Sequence, residues 1–279
     1  MARKVLKIVN YPKPPKYAYI CASMDVFYRR YFLRLSYVGT PYHGWQQQAN
    51  TPLTIQEILN IRYSSILGEK VCLIGCGRTD TGVHSKDFYA HLDVSNHDLM
   101  ADYEKWMYKF NVVLPPDIAI HEIIPVDEKA NARFSATDRT YQYFLHFKKD
   151  GFLLNRSYYC PKALDLDKMN EAAALLMNHS DFTSFSRNRT QVKNNLCIMM
   201  EARWDPIDNG LRFTIRANRF LRNMVRAIVG TLLDVGLGKL TVEEFNQIIL
   251  QKNRALAGTS APACGLYLVK VNYKPGILP

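Results

Sequence analysis

The chain has 279 residues, 48% hydrophobic and 22% charged, an ordinary globular composition with enough apolar residues for real cores and room for two domains or one large one. Its formal net charge of +11, together with 17 tyrosines, points toward a polyanionic partner, nucleic acid first. Six thinly spread cysteines exclude a dense secreted disulfide scaffold, and no apolar run approaches the ~20 residues of a membrane span, so reduced thiols and a cytoplasmic setting are expected.

The N-terminal stretch MARKVLKIVNYPKPPKYAYICASM is basic and proline-rich. Lys7, Lys13 and Lys16 break its apolar runs, so it lacks the apolar core of a signal peptide and reads as a flexible arm over 1–29, with Met24 as an alternative start. RYFLRLSYVGT alternates and reads as a strand ending at Gly39, followed by a loop, PYHGWQQQ. TIQEILNIRYSSILG reads as a helix: Thr54 and Glu57 have capping-box spacing, Ile55, Ile58, Leu59, Arg62 and Ile66 repeat at helical intervals, and Gly68 stops it. VCLIGC is a short buried strand leading into GRTDTGVHS, and DFYAHLDV is the next strand. A helix from about Asp98 to Asn111 and a strand in LPPDIAIHEIIPV complete the first half.

In ARFSATDRTYQYFLHF, Tyr141, Tyr143, Leu145 and Phe147 share one face of a strand. A helix over LDLDKMNEAAALLMNHSDF and strands near Cys197–Trp204 and Leu211–Ala217 follow. The clearest amphipathic helix carries Leu221, Met224, Val225, Ile228, Val229, Leu232 and Leu233 on one face, with Arg219, Arg222 and Arg226 along an edge and Gly236 and Gly238 at its end. TVEEFNQIILQ is a last helix and GLYLVKVNY a last strand. The order predicts an α+β fold of two similar mixed halves with largely antiparallel sheets, a domain over 30–130 and another over 131–279.

Asp80-Thr81-Gly82 reads DTG, the tripeptide of aspartic proteases. Those enzymes need two carboxylates sharing a proton, and the chain has no second DTG or DSG. A neighbouring Arg78 suits instead an ionised aspartate acting as nucleophile or base, although a plain Asp-Gly turn fits the local pattern as well. Gly77 and Gly82 suggest close approach of the backbone to something. Cys72, Cys76, His84 and His91 fit no usual zinc spacing. GLGKLT lacks both the first glycine and the Ser or Thr of a phosphate loop. The glycosylation-like sequons at Asn178 and Asn188 carry no meaning in a cytoplasmic protein. Arg226 stands beside the apolar stripe, where an unpaired charge is costly, and Asp80 is a candidate partner. Tyr141 reads either as sheet core or as an aromatic that stacks on a base.

Several of these segments occur in a recognisable order: YVGTPYHGWQQQ, GRTDTGVHS, LPPDIAI, ARFSATDRTYQYF, DFTSF, NRFLRNMVRAIVGTLLDVG and GLYLVKVNY. Together they resemble the TruA family of tRNA pseudouridine synthases, from about Tyr31 to Tyr273. The resemblance implies that Asp80 is the catalytic carboxylate, that Tyr141 packs against the target base, that Arg226 pairs with the aspartate, and that Arg78 helps hold the base out of the stack. It implies a pseudouridine synthase fold with two domains joined across a central catalytic cleft, no cofactor and no metal. It further implies a homodimer that isomerises uridines 38, 39 and 40 of the tRNA anticodon stem-loop, with Asp80 acting either covalently or as a base. A same-fold RNA-binding protein or chaperone, or an enzyme acting at other RNA positions, stands as the alternative. Thr81, Ser85 and Arg219 depart modestly from the family pattern, and a basic position is blurred in QVKNNLCIM.

Overall fold

A computed structural model of the chain describes residues 28–51, 53–187 and 194–278. Residues 1–27 of the expected arm, the sequon at Asn188 and part of the blurred basic segment lie outside the described residues. The elements are β1 (Arg29–Tyr37), α1 (Ile55–Leu67), β2 (Ile74–Gly75), β3 (His84–Val94), α2 (Tyr103–Val112), β4 (Ile118–Val126), β5 (Ala136–His146), β6 (Tyr158–Tyr159), α3 (Leu166–Leu175), β7 (Met199–Ile207), β8 (Gly210–Ala217), α4 (Met224–Gly236), α5 (Val242–Leu250) and β9 (Leu266–Tyr273).

These strands join one open, mostly antiparallel sheet in the order β4-β1-β3-β9-β5-β8-β7, with β2 beside β3 and β6 beside β5. The fold is therefore mixed α/β, as the element order predicts. The last strand lies between β3 and β5: it runs parallel to β3 through His84↔Tyr267 and antiparallel to β5 through Tyr143↔Leu266. Strands from early and late in the chain thus meet at β9. The loops preceding β3 and β9, and the residues along β5, are brought to one region.

Local signals explain most boundaries. Thr54 caps α1 by accepting from the Glu57 amide, and Gly68 ends it in the left-handed region. Tyr63 of α1 stacks on Phe110 of α2 at 4.2 Å between ring centres. Tyr141, Tyr143 and Leu145 are buried and Phe147 partly so, as the alternation predicts. Every member of the expected apolar stripe from Leu221 to Leu233 is buried.

Three expectations are corrected. In VCLIGC the strand shrinks to Ile74–Gly75, with Cys76 adding one amide bond to β3, and Cys72 and Ile74 are exposed. Helix α2 begins at Tyr103, because Asp98 turns the chain by accepting from the Met100 amide. Helix α4 begins at Met224, with Asn223 at φ 63° before it. A left-handed residue cannot continue a right-handed helix. Arg219 and Arg222 therefore lie on the turn before α4 rather than along its edge, and only Arg226 is on the helix.

Candidate active site

Asp80 lies in the loop between β2 and β3, and both flanks of that loop are anchored. Upstream, the Cys76 amide donates to the Tyr89 carbonyl at 2.7 Å, and Thr79 Oγ1 meets the buried Tyr37 hydroxyl at 2.8 Å. Downstream, the Val83 amide closes a turn on the Asp80 carbonyl at 3.1 Å, with Gly82 at φ 78°. The loop after β1 cradles this segment, since the Trp45 amide donates to the Thr79 carbonyl and the Gly82 amide to the Tyr42 carbonyl. A Cβ on Gly44 would stand 2.5 Å from the Thr79 carbonyl oxygen, so any larger residue there would push the aspartate loop aside. Close approach within the protein falls at Gly44 and Gly82; Gly77, expected to share it, faces open space.

The Asp80 carboxylate accepts no hydrogen bond among the described residues. Burial raises its pKa, and the charges of Arg226, Arg222 and Arg187 oppose that rise, in decreasing order. The net direction is upward, so the arginines offset the cost of desolvation only in part. The sequence expects Arg226 to pair with Asp80. Instead the Arg226 Nε donates to the Ala261 carbonyl at 2.7 Å, and the Ala261 amide returns a bond to the Arg226 carbonyl at 2.9 Å. That double contact fixes the arginine on α4 and leaves its charge to act on Asp80 through space.

Arg78, expected to hold Asp80 ionised, turns elsewhere. Its Nε donates to Gln46 Oε1 at 3.1 Å, and Gln46 Nε2 donates in turn to Gln56 of α1 at 2.6 Å. Gln56 is buried and donates to the Leu73 carbonyl at 2.7 Å, so a glutamine relay built from WQQQ and α1 orients the arginine.

Tyr141 is 8% exposed on β5, edge-on to Phe220 with ring centres 5.2 Å apart and planes at 88°. Burial raises its hydroxyl pKa; Cys76 and, after it, Asp80 add to the rise, while Arg139 opposes it. Its hydroxyl has no hydrogen-bond partner among the described residues.

Sequence reasoning missed three contributors. Arg187, just after DFTSF, carries no periodic or motif signal; its amide donates to the Arg222 carbonyl at 3.2 Å, which draws the two arginines together beside Asp80. Arg139 ties loops together: Nη2 donates to the Cys76 carbonyl at 2.8 Å and the Arg133 carbonyl at 2.7 Å, and Nη1 donates to the Asn218 carbonyl at 3.0 Å. Buried His84 accepts the Gly39 amide on Nδ1 at 3.1 Å, so Nε2 carries the proton and donates to the Cys264 carbonyl at 3.2 Å. A separate concavity, lined by Arg34, Asp87, Tyr89, Lys270, Asn272 and Tyr273, lies on the sheet and does not include Asp80.

A family model described as tRNA pseudouridine synthase matches residues 172–274. The tRNA pseudouridine synthase A of Bacteroides fragilis is 49% identical over 246 residues, covering 88% of this chain and 96% of that protein. The chain belongs to the tRNA pseudouridine synthase A (TruA) family. That is a family of isomerases. The relative of the same name from Bacteroides thetaiotaomicron is 48% identical, covering 89% of this chain and 92% of its own, and that of Porphyromonas gingivalis is 46% identical, covering 88% and 97%. The family-model match contains Arg187, Arg222 and Arg226, whereas Asp80 and Tyr141 precede it.

Proposed function

We propose that this enzyme isomerises uridine to pseudouridine in tRNA, at positions 38, 39 and 40 of the anticodon stem-loop, with Asp80 as the essential carboxylate. The observation that carries the assignment is a partly buried aspartate under the charge influence of Arg226, Arg222 and Arg187, together with a buried tyrosine packed edge-on against Phe220, in a member of this family. In the reaction the bond from N1 to C1′ breaks, the uracil turns, C5 bonds to C1′, the C5 proton leaves and N1 takes up a proton. Substrate and product are isomers, so no oxidant and no group donor is consumed.

The residues divide the work. A base within a stem-loop leaves its stack before such chemistry, at a cost of a few kcal/mol. Tyr141 receives the extruded uracil, and stacking returns ~1–3 kcal/mol per base. Asp80 acts in its ionised form, as a nucleophile at the sugar or the base or as a base that removes a sugar proton; Arg226, Arg222 and Arg187 favour that form against burial. Arg78, held by Gln46 on the exposed side of the same loop, occupies the stack vacated by the uridine. We assign the halves 30–130 and 131–279 to two domains that meet at this site. No helix among the described residues is long and apolar enough to cross a membrane. We place the enzyme in the cytoplasm as a homodimer, a state that sedimentation of the purified chain will test.

The assignment is tested by incubating the protein with an unmodified anticodon stem-loop transcript carrying uridines at 38 to 40, and mapping pseudouridine chemically. Product at those positions, absent with Asp80→Ala, is the expected result. Salt-sensitive binding without product would exclude these positions as the substrate.

A further inference from the structure

Arg139 gathers more than the aspartate loop. Its guanidinium binds the carbonyls of Cys76, Arg133 and Asn218, so three chain segments converge on one side chain. Each segment carries another arginine at or just beyond the contact: Arg78, Arg133 and Arg219. Among the described residues none of these is paired with a carboxylate; Arg78 is bonded to Gln46 and Arg219 to Asn194. Like charges this close repel one another in the free protein, and a polyanion relieves the repulsion. Their effect is visible at Arg133, whose charged form is disfavoured first by its surroundings and then by Arg78, Arg139 and Arg219.

Beside this cluster stands Phe134, 78% exposed, with the Arg133 guanidinium 5.5 Å from its ring centre. A lone exposed aromatic needs no explanation when its loop is loose. This loop is clamped. Asn131 Oδ1 accepts both the Arg133 and Phe134 amides, at 3.0 and 3.1 Å, and the Ser135 amide donates to the Asn131 carbonyl at 2.9 Å. Ala132 is buried, donating its amide to His91 Nδ1 at 3.1 Å and accepting from the Tyr273 hydroxyl at 2.7 Å. The backbone on both sides of Phe134 is thus held while its ring is displayed to solvent.

We propose that Phe134 is a stacking platform for a nucleobase adjacent to the target uridine, and that Arg133 and Arg219 grip the phosphates flanking that nucleotide. The inference rests on the RNA-modifying reading above and adds a second, separate contact site for the same substrate. An aromatic face takes any base, because every base presents a π surface, while arginines read the backbone without regard to sequence. The pair therefore suits an enzyme that must accept several neighbouring uridines in different sequence contexts. It positions RNA and touches no reacting atom.

The test uses the Asp80→Asn variant of the whole chain, which is expected to bind without turning over, and stem-loop RNAs carrying 2-aminopurine on the 5′ or the 3′ side of the target uridine. Stacking on Phe134 quenches one of the two probes. Phe134→Leu in the same background is expected to abolish most of that quenching and to weaken binding on the order of tenfold, with the melting temperature unchanged because the ring is exposed. Arg133→Gln and Arg219→Gln are each expected to lower the slope of log affinity against log salt by about 0.7 to 1. Equal quenching of both probes by the Phe134→Leu and parent proteins, or salt slopes unchanged in both arginine variants, would overturn the inference. The protein with Asp80 intact is assayed on the same RNA. If it makes pseudouridine while Phe134 has no effect, the inference alone fails; if the RNA is neither bound nor converted, the proposed function fails with it.

Discussion

Arg226 exerts the largest charge influence on Asp80 without pairing with it: its Nε is committed to the Ala261 carbonyl at 2.7 Å, and only its charge acts on the carboxylate. The contact to Ala261 fixes position and the charge sets ionisation, so the two roles can be separated. Arg226→Gln removes the largest influence that lowers the Asp80 pKa, leaving burial less opposed. The acidic limb of kcat/KM should move to higher pH. Arg226→Lys keeps the charge and loses the Nε contact, so its limb should stay near that of the parent while turnover falls. A pH profile of all three proteins decides; an unmoved limb in the Gln variant would show that Arg226 does not govern the ionisation of Asp80.

Asp80 also bears on stability. Its folded pKa is raised above the ordinary 3.8, so the fold prefers the neutral acid. That preference stabilises at pH below 3.8 and is lost as pH rises through the folded pKa. Asp80→Asn, permanently neutral, should match the parent in acid and be more stable at neutral pH, while losing turnover and keeping RNA binding. Urea midpoints at acid and neutral pH measure the first effect. A less stable Asn variant at neutral pH would contradict the desolvated site.

Tyr141 has no hydrogen-bond partner for its hydroxyl among the described residues, and its ring rests against Phe220. Tyr141→Phe should therefore retain turnover within a few-fold. Tyr141→Leu should lose about 5- to 150-fold, the equivalent of ~1–3 kcal/mol of stacking. Equal losses in single-turnover assays would assign the role to the hydroxyl.

Arg139 donates to four carbonyls, those of Cys76, Arg133, Ala136 and Asn218. Arg139→Met keeps the aliphatic stem and strips these bonds, leaving partly buried acceptors unsatisfied. A loss of about 2–4 kcal/mol is expected, together with weaker turnover, because the Cys76 contact anchors the start of the aspartate loop. Denaturant unfolding and stem-loop kinetics check both; a change in stability alone would mean that the loop is held by other contacts.

His91 is pushed down from 6.5 to about 4, first by burial and then by the Arg30 charge. Its neutral Nδ1 accepts the Ala132 amide. A depressed folded pKa means that stability is present above 6.5 and is lost as pH falls toward 4. His91→Gln, which keeps an acceptor but cannot titrate, should lose less stability over that interval than the parent. Identical acid profiles would place the sensitivity elsewhere, with buried His84 the next residue to test.

The sequence alone determined the element order, the family and the side chains worth watching, because those depend on local periodicity, capping and short motifs. Thr54 and Gly68 bound α1 where the capping rules put them, and the alternation of Tyr141, Tyr143 and Leu145 matches their burial. Only the tertiary structure decided which charges act on Asp80. The motif sets Arg78 two residues away, yet its side chain turns to Gln46, while Arg187, Arg222 and Arg226 arrive from distant segments. The left-handed Asn223 that removes Arg222 from the α4 edge leaves no periodic trace, and neither does the pairing of β9 between β3 and β5. Charge acts through space, and sequence spacing measures distance only within one regular element. The electrostatics of the site therefore emerged only when the sheet brought early and late segments together.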